Sequence, residues 1–541
     1  MIESLLSKYS WSRLDSVFLI CLLVISILVF GVFINVGGFW WTDEPRHAMD
    51  GVYFLDLFRD RPFSNLYGYT VEYFVHYPAL GFTWYLPFFA FIESLFFAVF
   101  GISEASARLS VLFFCFLALS AWYIWARPIW GGLPTFFGGL FFLFNPYVVL
   151  WGRAVMLEIP ALAMVFLALL CFHFYLRNPS HLLSIATGIV IGLMLLTKQI
   201  TLFIFPVMLV YALISNSWQQ LVQPKSLWAI ALILISLAIV FLHATKFSTV
   251  SGSFGANKND MFAASRAILT LKAIWEAYPF PFKVLTLAGF LSIFKTKLKS
   301  SDYLIFSWIA AWFILFTLFS DKINNTIRYT IYLTPALGFL SVRWLDLLSN
   351  PKLRHWSVSL LALFYLGYGS AAIIEKPYYV NGYEQAAEYT SNNTNNAPIL
   401  FCCKHDGNFI FNIRKGDPHH KKIILRADKT LVSMAVHTEF GVKSYVNNDQ
   451  DIFDILDKYG VQTIVSENKD LVGVPELNRL INLLQTDSFE KIKAISIVSN
   501  VPEFKDLQVN IFRYKKSKAI HNRIITIPMP HIGRDLHLLV D

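Results

Sequence analysis

Val17 to Ile34 reads Val-Phe-Leu-Ile-Cys-Leu-Leu-Val-Ile-Ser-Ile-Leu-Val-Phe-Gly-Val-Phe-Ile, with no charged side chain. Crossing a bilayer core of about 30 Å as a helix takes roughly 20 such residues. Leu227 to Leu242 is a second run that is apolar on every side. A membrane β-barrel would alternate with period two, so these runs specify helices. Comparable stretches continue to about residue 374. Of the 541 residues, 56% are hydrophobic, 16% aromatic and only 15% charged, with a net charge of +9. A soluble chain carries about 25% charged residues. The composition excludes a soluble enzyme and specifies a polytopic α-helical membrane protein.

Short basic loops face the cytoplasm. The sharpest holds Lys295, Lys297 and Lys299, followed by Lys352 and Arg354; counting back, Arg177 and Arg127 fall on the same side. Arg13 joins them only if one early apolar segment does not cross. Segment 81–100 is the candidate, because it holds Pro87 and Glu93 and follows Pro78 and Gly81, as a helix lying at the membrane surface would. Without it the count is about eleven transmembrane helices, with the C-terminus outside. If 81–100 crosses, the polar C-terminal region changes side.

Composition shifts near residue 375. Residues 1–374 read as the membrane domain, with an external first loop at 35–104, and 375–541 as an extracytoplasmic α/β domain. Apolar runs at 398–403, 422–425, 461–466, 494–499 and 508–514 alternate there with helical patterns at 383–390, 451–459 and 475–485, the pattern of strands and helices in one small domain. The basic stretch of Lys515, Lys516, Lys518 and Arg523 reads as poorly ordered. The five cysteines show no zinc spacing and no disulfide framework. Lys and Arg are scattered between apolar segments as topology signals, so no nucleic-acid partner is expected.

With this parity the external side collects Asp43, Glu44, Arg46 and His47 early in the first loop, then His76 and Tyr77, and beyond the loop Arg108, Arg153 and Glu158. Asp43 and Glu44 follow the aromatic belt of Phe39, Trp40 and Trp41, where partial desolvation can raise a carboxylate toward general-base work; a solvated acidic loop is the plainer reading. Glu158 opens a crossing beside Pro160, where an acid also serves as a cap. Lys198, between two apolar runs, either snorkels to the interface or meets a lipid phosphate. Asp321, Lys322, Arg328 and Tyr329 form a further cluster, in which Arg328 either grips phosphate oxygens bidentately or anchors the chain at the interface.

Taken in order, these residues resemble a known family. Thr42-Asp43-Glu44-Pro45-Arg46-His47-Ala48 resembles the Asp-Glu signature of the GT-C superfamily of polyprenyl-phosphate-sugar glycosyltransferases, which includes protein O-mannosyltransferases and aminoarabinose transferases. His76-Tyr77-Pro78-Ala79-Leu80 is similar to their Lys/His-Pro-Pro-Leu element, with Ala79 in place of the second proline and Tyr77 where some members carry lysine. Phe100 to Leu109, Gly152 to Pro160, Leu196-Thr197-Lys198, and Arg328-Tyr329 with Pro335 keep the family's order. In that family the counterpart of 81–100 is an interfacial helix.

The resemblance implies transfer of one sugar from a polyprenyl-phosphate donor to a lipid A, glycan or protein-hydroxyl acceptor at the outer face of the plasma membrane, with inversion. It implies Asp43 as the base and Glu44 and Glu158 as groups that order the site. Arg46, His47, His76, Tyr77, Arg108, Arg153, Lys198, Arg328 and Tyr329 are then substrate and phosphate contacts. No soluble cofactor motif is present; a divalent cation on Asp43 and Glu158 is the option the resemblance leaves open. The alternative is a lipid or sugar-lipid flippase, which would more often show internal repeats and helices broken near the midplane; the sequence displays neither. The sugar and the acceptor are not legible.

Overall fold

The computed structural model describes residues 11–247, 264–319, 327–517, 523–529 and 534–540, apart from 396, 403, 435–441 and 470–472. Asp321, Lys322, Cys403 and Lys518 lie outside the described residues. The membrane part runs through α1 (Arg13–Ser26), α2 (Glu44–Asp60), α3 (Leu66–His76), α4 (Phe88–Phe100), α5 (Glu104–Trp130), α6 (Gly132–Leu143), α7 (Pro146–Gly152) and α8 (Glu158–Arg177). It continues with α9 (His181–Thr197), α10 (Ile204–Ile214), α11 (Leu227–Phe247), α12 (Ala264–Ala277), α13 (Phe280–Lys295), α14 (Ser300–Phe319), α15 (Thr334–Leu340) and α16 (Pro351–Ile374).

Six helices among the described residues are long and apolar enough to cross a membrane, or up to eight if each of two bent pairs is one span. The bent pairs are α6 with α7, at 65°, and α12 with α13, at 114°. The sequence reading expected no broken helices, and this expectation is corrected. The breaks have local causes: Asn145 caps a new helix through Tyr147 N and Val148 N just before Pro146, and Pro279 and Pro281 cannot continue α12. Segment 328–347 is not one continuous helix either. It breaks into 3₁₀ turns at Thr330–Tyr332 and Arg343–Leu347 around the short α15. α9, α10 and their linking turn Gln199–Phe203 are shorter apolar elements.

The bundle is sorted by burial. α8 is buried along most of its length, whereas α11 and α16 expose Leu234, Ile235, Phe241, Leu360, Leu363 and Leu366, apolar surface that only lipid can cover. Backbones of α6 and α15 meet closely: a Cβ on Gly338 would come within 2.9 Å of the Gly138 carbonyl oxygen, which is the close approach small residues permit between membrane helices. At one end, Asp15 receives Arg127 Nη2 at 2.9 Å and the Tyr123 hydroxyl at 3.1 Å, joining the start of α1 to the end of α5. At the other end, Arg153 donates to Val29, Ala372 and Glu375 carbonyls, gathering α1, α16 and the loop before α8. α4, at 13 residues, is about 20 Å long and too short to span. It buries Phe89, Glu93 and Phe97 while exposing Phe91, Leu95 and Val99.

Beyond α16 the chain forms a mixed sheet. Its strands are β1 (Ile399–Cys402), β2 (Ile424–Arg426), β3 (Thr463–Glu467), β4 (Phe489–Ser496) and β5 (Gln508–Tyr514), in the order β2-β1-β3-β5-β4. β1 pairs in parallel with β2 and β3, and β5 pairs antiparallel with β3 and β4. β3 is buried at every residue, as a strand covered on both faces must be. Helix α17 (Tyr383–Asn393) follows the linker, and α18 (Asp406–Lys415) follows β1. α18 was not anticipated from the sequence, since its polar and apolar residues interleave with two asparagines and a glycine. Of the basic C-terminal stretch, Lys515 and Lys516 lie in a turn after β5 and Lys518 lies outside the described residues, and only at Arg523 is the expected poor order replaced by a strand. Arg523–Met529 pairs with Arg534–Val540 in an antiparallel hairpin, and Ile525, Ile527 and Leu536 are buried.

α18 packs this α/β region on the first loop. Arg414 donates through Nε and Nη2 to Asp56 Oδ2, at 2.9 and 2.6 Å, and the Tyr73 hydroxyl donates to the same oxygen at 2.7 Å. Burial would raise the Asp56 carboxyl, but the His420 and Arg414 contacts hold it below its ordinary 3.8. Replacing Arg414 by Met leaves that buried carboxylate with only the Tyr73 hydroxyl and His420 beside it, so the unfolding free energy should drop by about 3–5 kcal/mol, read as a lower Tm of the detergent-solubilised protein. In the unaltered chain the same stabilisation is complete above the unfolded value of 3.8 and lost as pH falls through the lower folded value.

Candidate active site

Glu44 and Asp43 are neighbours in sequence with opposite fates. Glu44 opens α2, and its side chain is fully buried. Its Oε1 accepts the Trp40 and Trp41 N–H groups, each at 3.0 Å, and Oε2 accepts Val155 N–H at 2.8 Å. Those three bonds pin the segment before α2 to the loop before α8. Asp43 keeps 29% of its side chain exposed. Its Oδ2 lies 3.4 Å from Trp41 Nε1 and 3.6 Å from Arg328 Nη1.

Arg328 is the centre of the cluster. Its Nε lies 3.2 Å from Glu158 Oε1, and the same oxygen accepts from Lys198 Nζ at 2.6 Å. Glu158 is fully buried, and its Oε2 has no partner among the described residues. Arg328 Nη2 donates to the Tyr329 hydroxyl at 2.9 Å. The guanidinium also lies over the Trp151 and Tyr329 rings, and Lys198 over the Tyr329 ring. Asp43, Glu158, Lys198, Arg328 and Tyr329 thus converge from the start of α2, the start of α8, the end of α9 and the segment before α15. Trp151 and Tyr85 carry no sequence signal beyond their aromatic character. Tyr85 packs on His47, ring centroids 4.5 Å apart. Burial of His47, reinforced by Lys198 and Arg328 and opposed by Asp43 and Glu158, holds its imidazole down to about 4. His47 is therefore neutral near pH 7.

The other candidate contacts lie elsewhere. Arg108 donates to the Ile34 and Gly38 carbonyls, at 3.0 and 3.3 Å, and Arg153 makes the three backbone bonds described above. Arg46 pairs with Asp406 at 3.1 Å, His76 Nδ1 meets the Lys422 carbonyl at 3.0 Å, and the Tyr77 hydroxyl donates to Asp417 at 2.7 Å. These last three dock the C-terminal region. Asp43 and Glu158 fit a divalent cation poorly as a pair: one guanidinium already serves both carboxylates, and no group of three His, Cys, Asp or Glu side chains gathers among the described residues.

A bundle of membrane helices, a long first loop carrying Asp43 at its start, and an α/β unit docked on that loop make up an architecture that recurs in solved structures. The resemblance carried by the motifs thus extends to the architecture. The chain aligns with the crystal structure of ArnT from Cupriavidus metallidurans bound to undecaprenyl phosphate, with TM-score 0.59 and 16% identity over 90% of this chain and 98% of that one. It also aligns with an Archaeoglobus fulgidus oligosaccharyltransferase tethered to an acceptor peptide, with TM-score 0.52 and 14% identity over 85% of this chain and 70% of that one. A third match is the mycobacterial arabinofuranosyltransferase AftD, with TM-score 0.53 and 11% identity over 95% of this chain and 42% of that one. Residues 85–243 match the family model of dolichyl-phosphate-mannose-protein mannosyltransferase. That interval holds Arg108, Arg153, Glu158 and Lys198, while Asp43 and Arg328 lie outside it. No curated protein matches by sequence.

The split between Asp43 and Glu44 is measurable. Glu44→Ala would orphan the buried Val155 N–H, at about 1–3 kcal/mol when left unpaired, and free the partly buried Trp40 and Trp41 N–H groups. A clear loss of Tm in detergent is expected. Asp43→Asn, which removes only a half-exposed charge, should melt within a degree or two of the unaltered protein.

Proposed function

We propose that this protein transfers a single sugar from a polyprenyl-phosphate carrier to an acceptor hydroxyl, with inversion at the anomeric carbon. The observation that carries the reading is the pair of roles around Arg328: a half-exposed carboxylate, Asp43, on one side, and the buried Glu158–Lys198 pair on the other. Asp43 takes the proton of the acceptor hydroxyl as its oxygen attacks the anomeric carbon from the face opposite the carrier. The bond from that carbon to the phosphate oxygen breaks, and its electron pair leaves with the carrier phosphate. Arg328 and Lys198 stabilise the charge that develops there. The Oε2 of Glu158, which has no partner among the described residues, and the Nε of Arg328, in ion-pair contact with Glu158 but not hydrogen-bonded, are the polar atoms free to adjust when a phosphate arrives. Glu44 acts indirectly, by holding the loop that carries Asp43. No step requires a metal ion.

A membrane site suits this donor, because the greasy carrier stays in lipid while its phosphate reaches cations at the bundle's end. The same reading places that end, and the α/β domain, outside the plasma membrane, with lipid A, another glycan or a protein hydroxyl as acceptor. The ligands of the aligned structures, undecaprenyl phosphate and an acceptor peptide, support the two substrate classes. The two bent helix pairs are the feature a flippase would also show, but each bend has its own cap or proline.

Carrier-phosphate release from a polyprenyl-phosphate sugar separates the alternatives. Asp43→Asn should abolish acceptor-dependent release while leaving carrier binding within about twofold. Near-normal turnover in that variant would remove Asp43 from the base role, and movement of intact donor across vesicles without release would favour the flippase.

For the leaving group, Lys198→Ala and Arg328→Ala should each weaken binding of the sugar-free carrier phosphate by about 1.5–3 kcal/mol. Both cations share Glu158, so the double variant should depart from additivity. Unchanged binding in both single variants would move the phosphate site away from this cluster.

A further inference from the structure

At the end of the bundle away from Arg328 the chain gathers a second group of cations. The Tyr278 hydroxyl donates to the Thr330 carbonyl at 2.9 Å, so α13 starts at the Arg328 end and finishes at Lys295 on the opposite one. α16 runs the other way, its last turn held at the Arg328 end where Arg153 reaches the Ala372 carbonyl. The Phe282 ring of α13 packs on Phe364, Tyr365 and Tyr368 of α16, with centroids 6.2, 6.3 and 5.1 Å apart. Thirteen residues separate Phe282 from Lys295, and thirteen separate Tyr365 from Lys352. Measured from that contact, each helix descends about 20 Å to its cation. Lys295 and Lys352 therefore stand at the same level of the bundle.

The acids at this level are already engaged. Arg343, itself buried, donates through Nε and Nη2 to the two oxygens of Asp302, at 2.9 and 3.0 Å. Lys299 Nζ donates to Asp346 at 2.8 Å. Arg343 Nη2 also reaches the Lys297 carbonyl at 3.2 Å, which ties the loop between α13 and α14 to the 3₁₀ turn that leads into α16. The side chains of Lys295, Lys297, Lys352 and Arg354 are exposed and make no ion pair among the described residues. Four unpaired cations thus sit on two segments that one buried guanidinium holds in register. A topology signal requires only that cations lie on one side of the membrane; this clamping goes further.

The surface beside the cations identifies their ligand. Leu287 and Leu291 precede Lys295 at intervals of four, and Trp356 and Leu360 follow Lys352 at the same interval, so each cation heads a stripe along one face of its helix. All four of these apolar side chains are more than half exposed. Trp356, one turn from Lys352, is the side chain typical of the membrane–water interface. A soluble anion has no use for the apolar stripes, whereas a phosphate at the cations with acyl chains along the stripes uses both. We propose that this end of the bundle binds an anionic phospholipid, its phosphate lying between the loop of Lys295 and Lys297 and the start of α16. The carrier phosphate is a different ligand, because Lys198 and Arg328 stand at the opposite end. The inference goes beyond the transferase reading and does not rest on it.

The test uses full-length protein in detergent and native mass spectrometry, with phosphatidylglycerol, cardiolipin and phosphatidylcholine titrated in separately. The two anionic lipids should each bind about tenfold or more tightly than phosphatidylcholine, an advantage that shrinks as salt screens the cations. Lys297→Gln/Lys352→Gln removes one cation from each segment and should erase most of that advantage. Its Tm should stay within a degree or two, since both side chains are exposed, and Lys297→Arg/Lys352→Arg should keep the lipid preference, which separates charge from folding. Lys491→Gln/Lys505→Gln, at two exposed positions of the α/β domain, loses the same net charge and should leave the preference intact. Inorganic phosphate should displace no more lipid than chloride does at equal ionic strength. Equal affinity for all three lipids, an equal loss in the α/β-domain variant, or displacement by phosphate would each overturn the site. Binding of the sugar-free carrier phosphate should change less than about twofold in Lys297→Gln/Lys352→Gln; a loss as large as that of phosphatidylglycerol would show one shared lipid site and overturn the assignment.

Discussion

A carboxylate with no exposed surface sits at the end of the bundle, and much of the site follows from its need for compensation. Glu158 cannot remain ionised there unless positive charge lies against it, because desolvating an isolated carboxylate is far more costly than pairing it. Lys198 and Arg328 supply that charge from elements distant in sequence. Bringing them together requires the ends of α8 and α9 and the segment before α15 to meet at one place. The arrangement is incomplete in its hydrogen bonding: one oxygen of Glu158 has no partner among the described residues, and the Nε of Arg328 is in ion-pair contact with Glu158 without a hydrogen bond. Two cations held by one carboxylate are already positioned for a further anion, whose arrival needs no new cation to move in.

Docking of the C-terminal domain obeys the same rule. Asp56 meets Arg414, Tyr77 meets Asp417, and Arg46 meets Asp406, which also receives Arg426 at 2.9 Å. Each pair joins the first loop to the α/β unit, and most of the side chains involved are buried. The first loop is therefore clamped from two directions: by the domain above it and by the three hydrogen bonds of Glu44 below. The base proposed here, Asp43, sits on an otherwise long loop and would need such clamping, since small displacements of a base from the proton it takes are expensive in rate.

The helical membrane class was legible in Val17 to Ile34 and its successors, because lipid forces a one-dimensional signature on a spanning helix. Segment 81–100 was legible as an element apart through Glu93 and its prolines, and its helix is indeed too short to span. The breaks at Asn145–Pro146 and Pro279 carry ordinary cap and proline signals, yet the apolar runs on either side masked them. In the C-terminal region the sheet strands read well as short apolar runs. α18 did not, because a docking helix with polar groups on its buried face has no clean amphipathic period. For the site, residue type and order singled out Asp43, Glu158, Lys198 and Arg328. They could not separate these from Arg46, His76, Tyr77, Arg108 and Arg153, for a cation that binds carbonyls is written with the same letter as one that binds phosphate.

That distinction is set by hydrogen-bond saturation, and it explains why adjacent acids diverge. Glu44 receives three backbone N–H groups in a buried setting, so both oxygens are engaged and neither is open to a substrate hydroxyl. Asp43, one residue earlier, ends an irregular segment before the helix, where its side chain is not drawn into the cap and one edge stays open. The segment needs both: an anchor acid whose lone pairs are all engaged fixes the backbone, and a neighbour whose lone pairs are not engaged is thereby held in place without being consumed. Arg328 completes the logic by lying within ion-pair reach of Asp43 but beyond hydrogen-bond length. It therefore faces the carboxylate without occupying the oxygen that a hydroxyl would approach in the proposed reaction.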